Sequence, residues 1–259
     1  MSDKKLPFTT HLEELRRRII ICLIAIVVGF LICYGFKEQI FEFVAIPLVA
    51  SLPNDNSWMI FTGVTEAFFT YLKVSFLAAV FLSLPVIFYQ FWAFTAPGLY
   101  SKEKKVIIPF VIFSTLFFIT GASFGYFVVF PFGFEFLLSF ASETIRPFPS
   151  LKEYLSFATK ILIAFGLVFE LPLITYFLSK LGLLTHRTLA KNRRYFIVIA
   201  FLLSATLTPP DVVTQLLMAG PVLILFEISV LVARIFGKKP LTDDSGDLLD
   251  EEKPGTTAD

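Results

Sequence analysis

Glu170 stands in Phe169-Glu170-Leu171-Pro172, deep inside a long apolar stretch, and an ionisable group there is the strongest chemical signal in the chain. A carboxylate at the centre of a bilayer costs about 3 kcal/mol or more unless it is paired, hydrated or protonated, so it should face a cavity or a partner. It could carry a proton or receive a polar group. It could equally hydrogen-bond a neighbouring span, helped by the carbonyls that Pro172 frees. Glu14 and Glu103 are acids of another kind, set among Lys and Arg outside the apolar stretches. Carboxylates take guanidinium groups through two parallel hydrogen bonds, which makes both residues docking points for arginines on a partner. Plainer roles exist for each. Glu14 can pair with Arg17 or Arg18 one turn along its own helix, and Glu103 suits the first turn of a helix capped by Ser101.

Other groups invite chemistry less convincingly. Gly121-Ala122-Ser123-Phe124-Gly125 has the G-x-S-x-G form of a serine nucleophile, but the two histidines, His11 and His186, lie on segments outside the membrane and no base is at hand. The pattern reads better as small residues that let one span pack closely on another. Cys22 and Cys33 fall about 16 Å apart along one helix and cannot bond to each other. No Cys, His and carboxylate cluster has metal-ligand spacing, so neither metal nor cofactor is expected. Gln215 places an amide at membrane depth, where another helix could meet it. Lys73 and Lys160 lie nearer a boundary and can snorkel.

The elements that must hold these residues are transmembrane helices. Hydrophobic residues make up 56% of the chain and aromatics 17%, and the mean hydropathy is +0.77, beyond what a water-soluble domain can bury. The net charge of +1 argues against a nucleic-acid binder. Six apolar runs, at 19–36, 67–94, 106–132, 155–178, 195–207 and 212–231, are bounded by charges. Runs of this kind without period-two alternation must be helices, since hydrocarbon leaves no partner for unpaired amides. The fold is therefore all-α, a polytopic membrane protein with six spans. The fifth run is short, at roughly 20 Å of helix.

Orientation follows from the basic residues. Sixteen Lys and Arg, including Arg16, Arg17, Arg18, Lys104, Lys105, Arg193, Arg194 and Lys239, fall on one side against Lys37, Arg146 and Lys152 on the other. Basic loops stay in the cytoplasm, which puts both termini inside. Thr10 with Glu13 and Ser150 with Glu153 read as capping boxes for the first and fourth helices. Pro85, Pro172 and Pro221 fall inside spans and should kink them, giving a concave, open assembly. Segments 37–66 and 133–154 are expected as outer loops. Thr208, Pro209 and Asp211 form a helix start with proline at the first helical position. Residues 1–239 form a single membrane domain, and 240–259 an acidic tail expected to be disordered.

Several separated motifs resemble one family. His11-Leu12-Glu13-Glu14-Leu15-Arg16-Arg17-Arg18, Phe91-Trp92-Ala93-Phe94-Thr95-Ala96-Pro97-Gly98-Leu99-Tyr100 with Glu103, Phe165-Gly166 through Pro172, and Thr208-Pro209-Pro210-Asp211 are similar, in that order, to TatC, the polytopic core of the twin-arginine translocase. The resemblance runs from about Leu6 to Lys239. It implies a receptor in the inner membrane that binds twin-arginine signal peptides of folded precursors. Such a receptor assembles with TatB-like and TatA-like single-span partners, in homo- and hetero-oligomers, for export driven by the proton-motive force. By the same resemblance Glu14 and Glu103 would receive the two arginines, with Phe94 beside them and Arg16 in the same patch. Glu170 would meet a polar residue of a partner helix or the inserted signal peptide. Thr208 and Gln215 would belong to a polar patch where partner helices dock. Some members carry a methionine three residues before that threonine, where this chain has Ala205. Pro47 and Asp211 match too, with a purely structural role left open for both.

The rival reading is a secondary transporter with Glu170 as proton carrier. Transporters hold substrate between two repeats, and no repeat relates the first three spans to the last three.

Overall fold

The computed structural model describes residues 8–52, 59–95, 107–142, 144, 147–208 and 211–237. Helix α1 (Phe8–Tyr34) is followed by α2 (Lys37–Ser51) and α3 (Glu66–Thr95). Next, α4 (Ile107–Phe124) runs through a π turn (Gly125–Val129) into α5 (Phe130–Leu138). Then come α6 (Leu151–Phe169), α7 (Leu171–Lys180), the short α8 (His186–Lys191), α9 (Arg193–Leu207) and α10 (Val212–Phe236). The described residues are all-helical apart from one isolated bridge, Ile60 with Ser150.

Five stretches are long and apolar enough to span a bilayer: His11–Tyr34, Glu66–Thr95, Ile107–Leu138, Leu151–Lys180 and Val212–Phe236. Expected span five is α9, whose 15 residues reach about 22 Å, short of a hydrocarbon core near 30 Å. The multi-pass, all-α architecture is as expected. Its core sits around α6 and α7: half of their hydrophobic stretch is buried, against 11% for α1. Val74, Phe130, Ala158 and Ile161 are fully buried. In contrast Leu23, Ile24, Val27, Leu31 and Ile32 of α1 are exposed, as suits a helix whose solvent is lipid.

Close packing of α4 on α6 explains the G-x-S-x-G pattern. A Cβ on Gly121 would stand 2.4 Å from the Phe165 carbonyl oxygen, and one on Gly166 2.6 Å from the Phe118 ring. Only glycine admits that approach.

Four local expectations need correction. The first outer segment is not merely a loop, because α2 occupies its first half. Pro47 is buried inside α2 and has no N–H to offer the Phe43 carbonyl; the Tyr126 hydroxyl donates to that oxygen instead. Ser150 sits at the N-cap of α6, yet its side chain does not cap; its hydroxyl donates to Glu66 Oε1 at 3.1 Å. Glu66 itself does the capping. It accepts from the Lys152 amide at 2.9 Å and from the amides of Thr62 at 2.8 Å and Gly63 at 3.3 Å, tying α3 to α6. At the other end α1 starts at Phe8, so Thr10 lies within the helix. Finally, α10 begins at Val212 behind an Asp211 N-cap, so the first helical position is not a proline; Pro209 itself lies outside the described residues.

Of the three prolines expected to kink their spans, Pro85 and Pro221 stay within continuous helices. A break occurs at Glu170, which ends α6 and precedes α7, with Pro172 in the first turn of α7.

Candidate recognition site and intramembrane polar groups

Where α1 begins and α3 finishes, spacing builds a polar cluster. His11, Glu14 and Arg18 recur at i, i+3 and i+7, one face of α1, and meet Gln90, Ala93 and Phe94 from the last turns of α3. Arg18 is the hub. Its guanidinium donates to Glu14 Oε1 from Nε at 3.0 Å and from Nη2 at 2.5 Å, to Gln90 Oε1 from Nη1 at 3.1 Å, and to the Ala93 carbonyl from Nη2 at 3.0 Å. His11 stacks on Phe94, with ring centroids 4.4 Å apart and planes 15° from parallel. Trp92, 2% exposed, anchors this end of α3 by donating its indole N–H to Ser114 Oγ of α4 at 2.8 Å.

Glu14 therefore pairs with Arg18, the plainer of its two expected roles, through one oxygen. The pair is accessible: the Glu14 side chain is 41% exposed and that of Arg18 20%. Phe94, half-buried, joins the cluster through His11. Arg16 does not join it. Two residues from Glu14 at 100° per residue turns its side chain about 200° away, and it is exposed. Glu103 lies outside the described residues. Arg18, Gln90 and His11 were missed as site residues, though the i+4 relation of Arg18 to Glu14 was the available signal.

Deep in the fold, Glu170 is 4% exposed. Ser114 lies beside it, so Trp92, Ser114 and Glu170 link three spans. Glu170 Oε1 has no hydrogen-bond partner among the described residues. A buried acceptor left without a donor costs about 1–3 kcal/mol. The neighbouring-span contact expected from sequence thus accounts for only part of this carboxyl group.

At the α9–α10 corner the polar residues are largely occupied. Thr208 ends α9, is buried, and donates its hydroxyl to the Ser204 carbonyl at 3.0 Å. Gln215 Nε2 donates to the Phe201 carbonyl at 3.1 Å, stapling α10 to α9. Asp211 caps α10, its Oδ1 accepting from the Thr214 amide at 2.7 Å. Ala205 is exposed on the outward face of α9 with Val198 and Leu202. At the far end of the same pair, Arg193 donates to Glu227 at 2.8 Å.

Comparison with known proteins agrees with this arrangement. Residues 10–221 match the model of the family described as "TatC: Sec-independent protein translocase protein (TatC)". A Sec-independent protein translocase protein TatC from Desulforapulum autotrophicum is 55% identical over 242 residues, covering 93% of this chain and 89% of that protein. The TatC of Magnetococcus marinus is 46% identical over 237 residues, covering 92% and 87%. A crystal structure described as the twin-arginine translocase receptor TatC superposes with a TM-score of 0.78 at 43% identity, covering 86% of this chain and 97% of that one.

Proposed function

We propose, from the premise that this chain belongs to the TatC family of Sec-independent protein translocase proteins, that its α1–α3 end docks the paired arginines of a twin-arginine signal peptide. The chain is a multi-pass membrane component of a protein translocase and not an enzyme. With the basic side in the cytoplasm, the α1–α3 cluster faces incoming precursors. The observation that carries the reading is the Arg18 hub, which fixes Glu14 by one oxygen and leaves the carboxylate half accessible. A visiting guanidinium can donate to Oε2, the oxygen that Arg18 leaves open. Glu103 supplies the second carboxylate and Phe94 an apolar wall. Arg16 stands on the rim of the patch, on the other side of α1.

The finer assignments follow the same logic. Glu170 receives a donor from a partner span or from the inserted signal peptide, satisfying its orphaned oxygen. Thr208 and Gln215 mark the short α9–α10 pair as the docking place of TatB-like and TatA-like single-span partners in homo- and hetero-oligomers. There a thin, 15-residue α9 leaves a partner helix room to shield the mismatch. Transport is driven by the proton-motive force, and no cofactor enters. Pro47 and Asp211 serve structure. Residues 1–239 act as one domain, with no role given to the tail. The solute-transporter alternative is not favoured for a member of this family.

Binding of a fluorescent Arg-Arg signal peptide to the purified protein tests the docking role. A charge-assisted contact of about 1.5–3 kcal/mol predicts that Glu14→Gln or Glu103→Gln weakens binding roughly tenfold or more. Unchanged affinity in both, or equal affinity for a Lys-Lys peptide, overturns the assignment.

A further inference from the structure

A cavity of 540 Å³ opens between α3 and α6, with Phe30 of α1 at its edge. Its α3 wall is the face Phe69, Leu72, Lys73 and Phe76, and its α6 wall includes Ser156, Thr159 and Lys160. We propose that this cavity binds an anionic phospholipid, with the phosphate held between Lys73 and Lys160 and an acyl chain laid along the phenylalanines.

Two cations on the facing walls of one apolar cavity are the unusual feature. Lys73 lies seven residues into α3 and Lys160 nine residues into α6, about 10 and 14 Å from the helix starts. A lysine stem reaches about 6 Å, so snorkelling alone does not bring both ammonium groups to bulk water. Neither lysine forms an ion pair or hydrogen bond among the described residues; the two ion pairs there are Arg18 with Glu14 and Arg193 with Glu227. No carboxylate lines the cavity. The acids on the same helices are spent or distant. Glu66 already accepts from Thr62, Gly63, Ser150 and Lys152; Glu153 stands in the first turn of α6, seven residues or about 10 Å before Lys160, and Glu170 ten residues or about 15 Å beyond it.

A pair of ammonium groups in hydrocarbon without a counterion is unfavourable, so an anion from outside the chain completes the site. Anionic phospholipid is the anion that a bilayer supplies beside such a site: the lysine stems carry their ammonium groups toward the headgroup layer, where the phosphate meets them, and basic pockets between spans suit such a headgroup. Ser156 and Thr159 flank Lys160 on one face of α6 and add hydroxyl donors for phosphate oxygens. The remaining wall is apolar, as an acyl chain requires.

The test uses the full chain in nanodiscs and native mass spectrometry, with dioleoyl phosphatidylglycerol as probe and dioleoyl phosphatidylcholine as the neutral control. Wild-type protein should retain phosphatidylglycerol in preference to phosphatidylcholine. The Lys73→Gln/Lys160→Gln variant should lose affinity about tenfold to thirtyfold, each single variant about fivefold, and Lys73→Arg/Lys160→Arg should keep it. Both lysines are exposed, so a melting temperature equal to wild type should accompany the loss. Equal retention by wild type and the double Gln variant, no preference over phosphatidylcholine, or displacement by millimolar inorganic phosphate overturns the proposal. So does a crosslinker at Thr159→Cys that captures a single-span protein instead of lipid in native membranes.

Discussion

Glu14 and Glu170 are the same side chain in opposite circumstances. Glu14 is 41% exposed in its side chain and shares one oxygen with Arg18 on its own helix. Glu170 is 4% exposed, lies at a helix break between α6 and α7, and leaves Oε1 without a donor. Arg18 occupies only Oε1, so the accessible carboxylate can take a second guanidinium on Oε2 without giving up the first. A buried acceptor cannot be satisfied by water and gains a good part of its desolvation cost when a donor arrives. Under the proposed function, the first region selects a visitor and the second holds what enters the membrane after it.

The largest way to break this contrast is to part the spans that build the buried site. Gly121→Val places a methyl-bearing carbon where a Cβ already stands 2.4 Å from the Phe165 carbonyl oxygen. It should separate α4 from α6, carry Ser114 away from Glu170, and destabilise the protein on the order of 3 kcal/mol. Thermal unfolding in detergent checks this. Glu170→Leu should do the reverse to stability, raising it by about 1 kcal/mol because an apolar group replaces an unsatisfied one. It should leave Arg-Arg peptide affinity within twofold while abolishing precursor transport in inverted membrane vesicles. Retained transport would remove Glu170 from the holding role.

The exposed site is sharpened by Arg18→Lys. A lysine keeps the charge but cannot bridge Glu14, Gln90 and the Ala93 carbonyl in one plane. Peptide affinity should fall about fivefold, and more steeply at high salt, as titration at two ionic strengths would show. The smallest effect expected is on the fold: Glu14→Gln removes an exposed pair, so the melting temperature should shift by only about 1–2 °C.

Much of this was legible in the chain itself. Span positions follow from runs of apolar residues, because hydrocarbon tolerates little else, and the short fifth run emerged as the 15-residue α9. The close approach at Gly121 and Gly125 was legible as small residues at helical spacing. Caps were harder. Ser150 and Glu153 have the spacing of a capping box, but Glu66, 84 residues earlier than Ser150, occupies the donors. Helix α2 was hidden by Pro47, whose freed carbonyl acceptor is met by Tyr126 from α4's π turn, a contact between distant segments.

The residue types alone determined that this protein lies in a membrane, where its apolar spans fall, and which acids stand out, because transfer into hydrocarbon depends on local composition. Which partner each acid takes was decided by tertiary structure. Glu14 could have chosen Arg17 or Arg18, and only the packing of α1 on Gln90 and Ala93 of α3 selects Arg18. Glu170 could have been fully bonded; the packed helices bring Ser114 to it and leave Oε1 without a donor among the described residues. Hydrogen bonds depend on ångström-scale distances between residues far apart in the chain, and those distances exist only once the helices have packed.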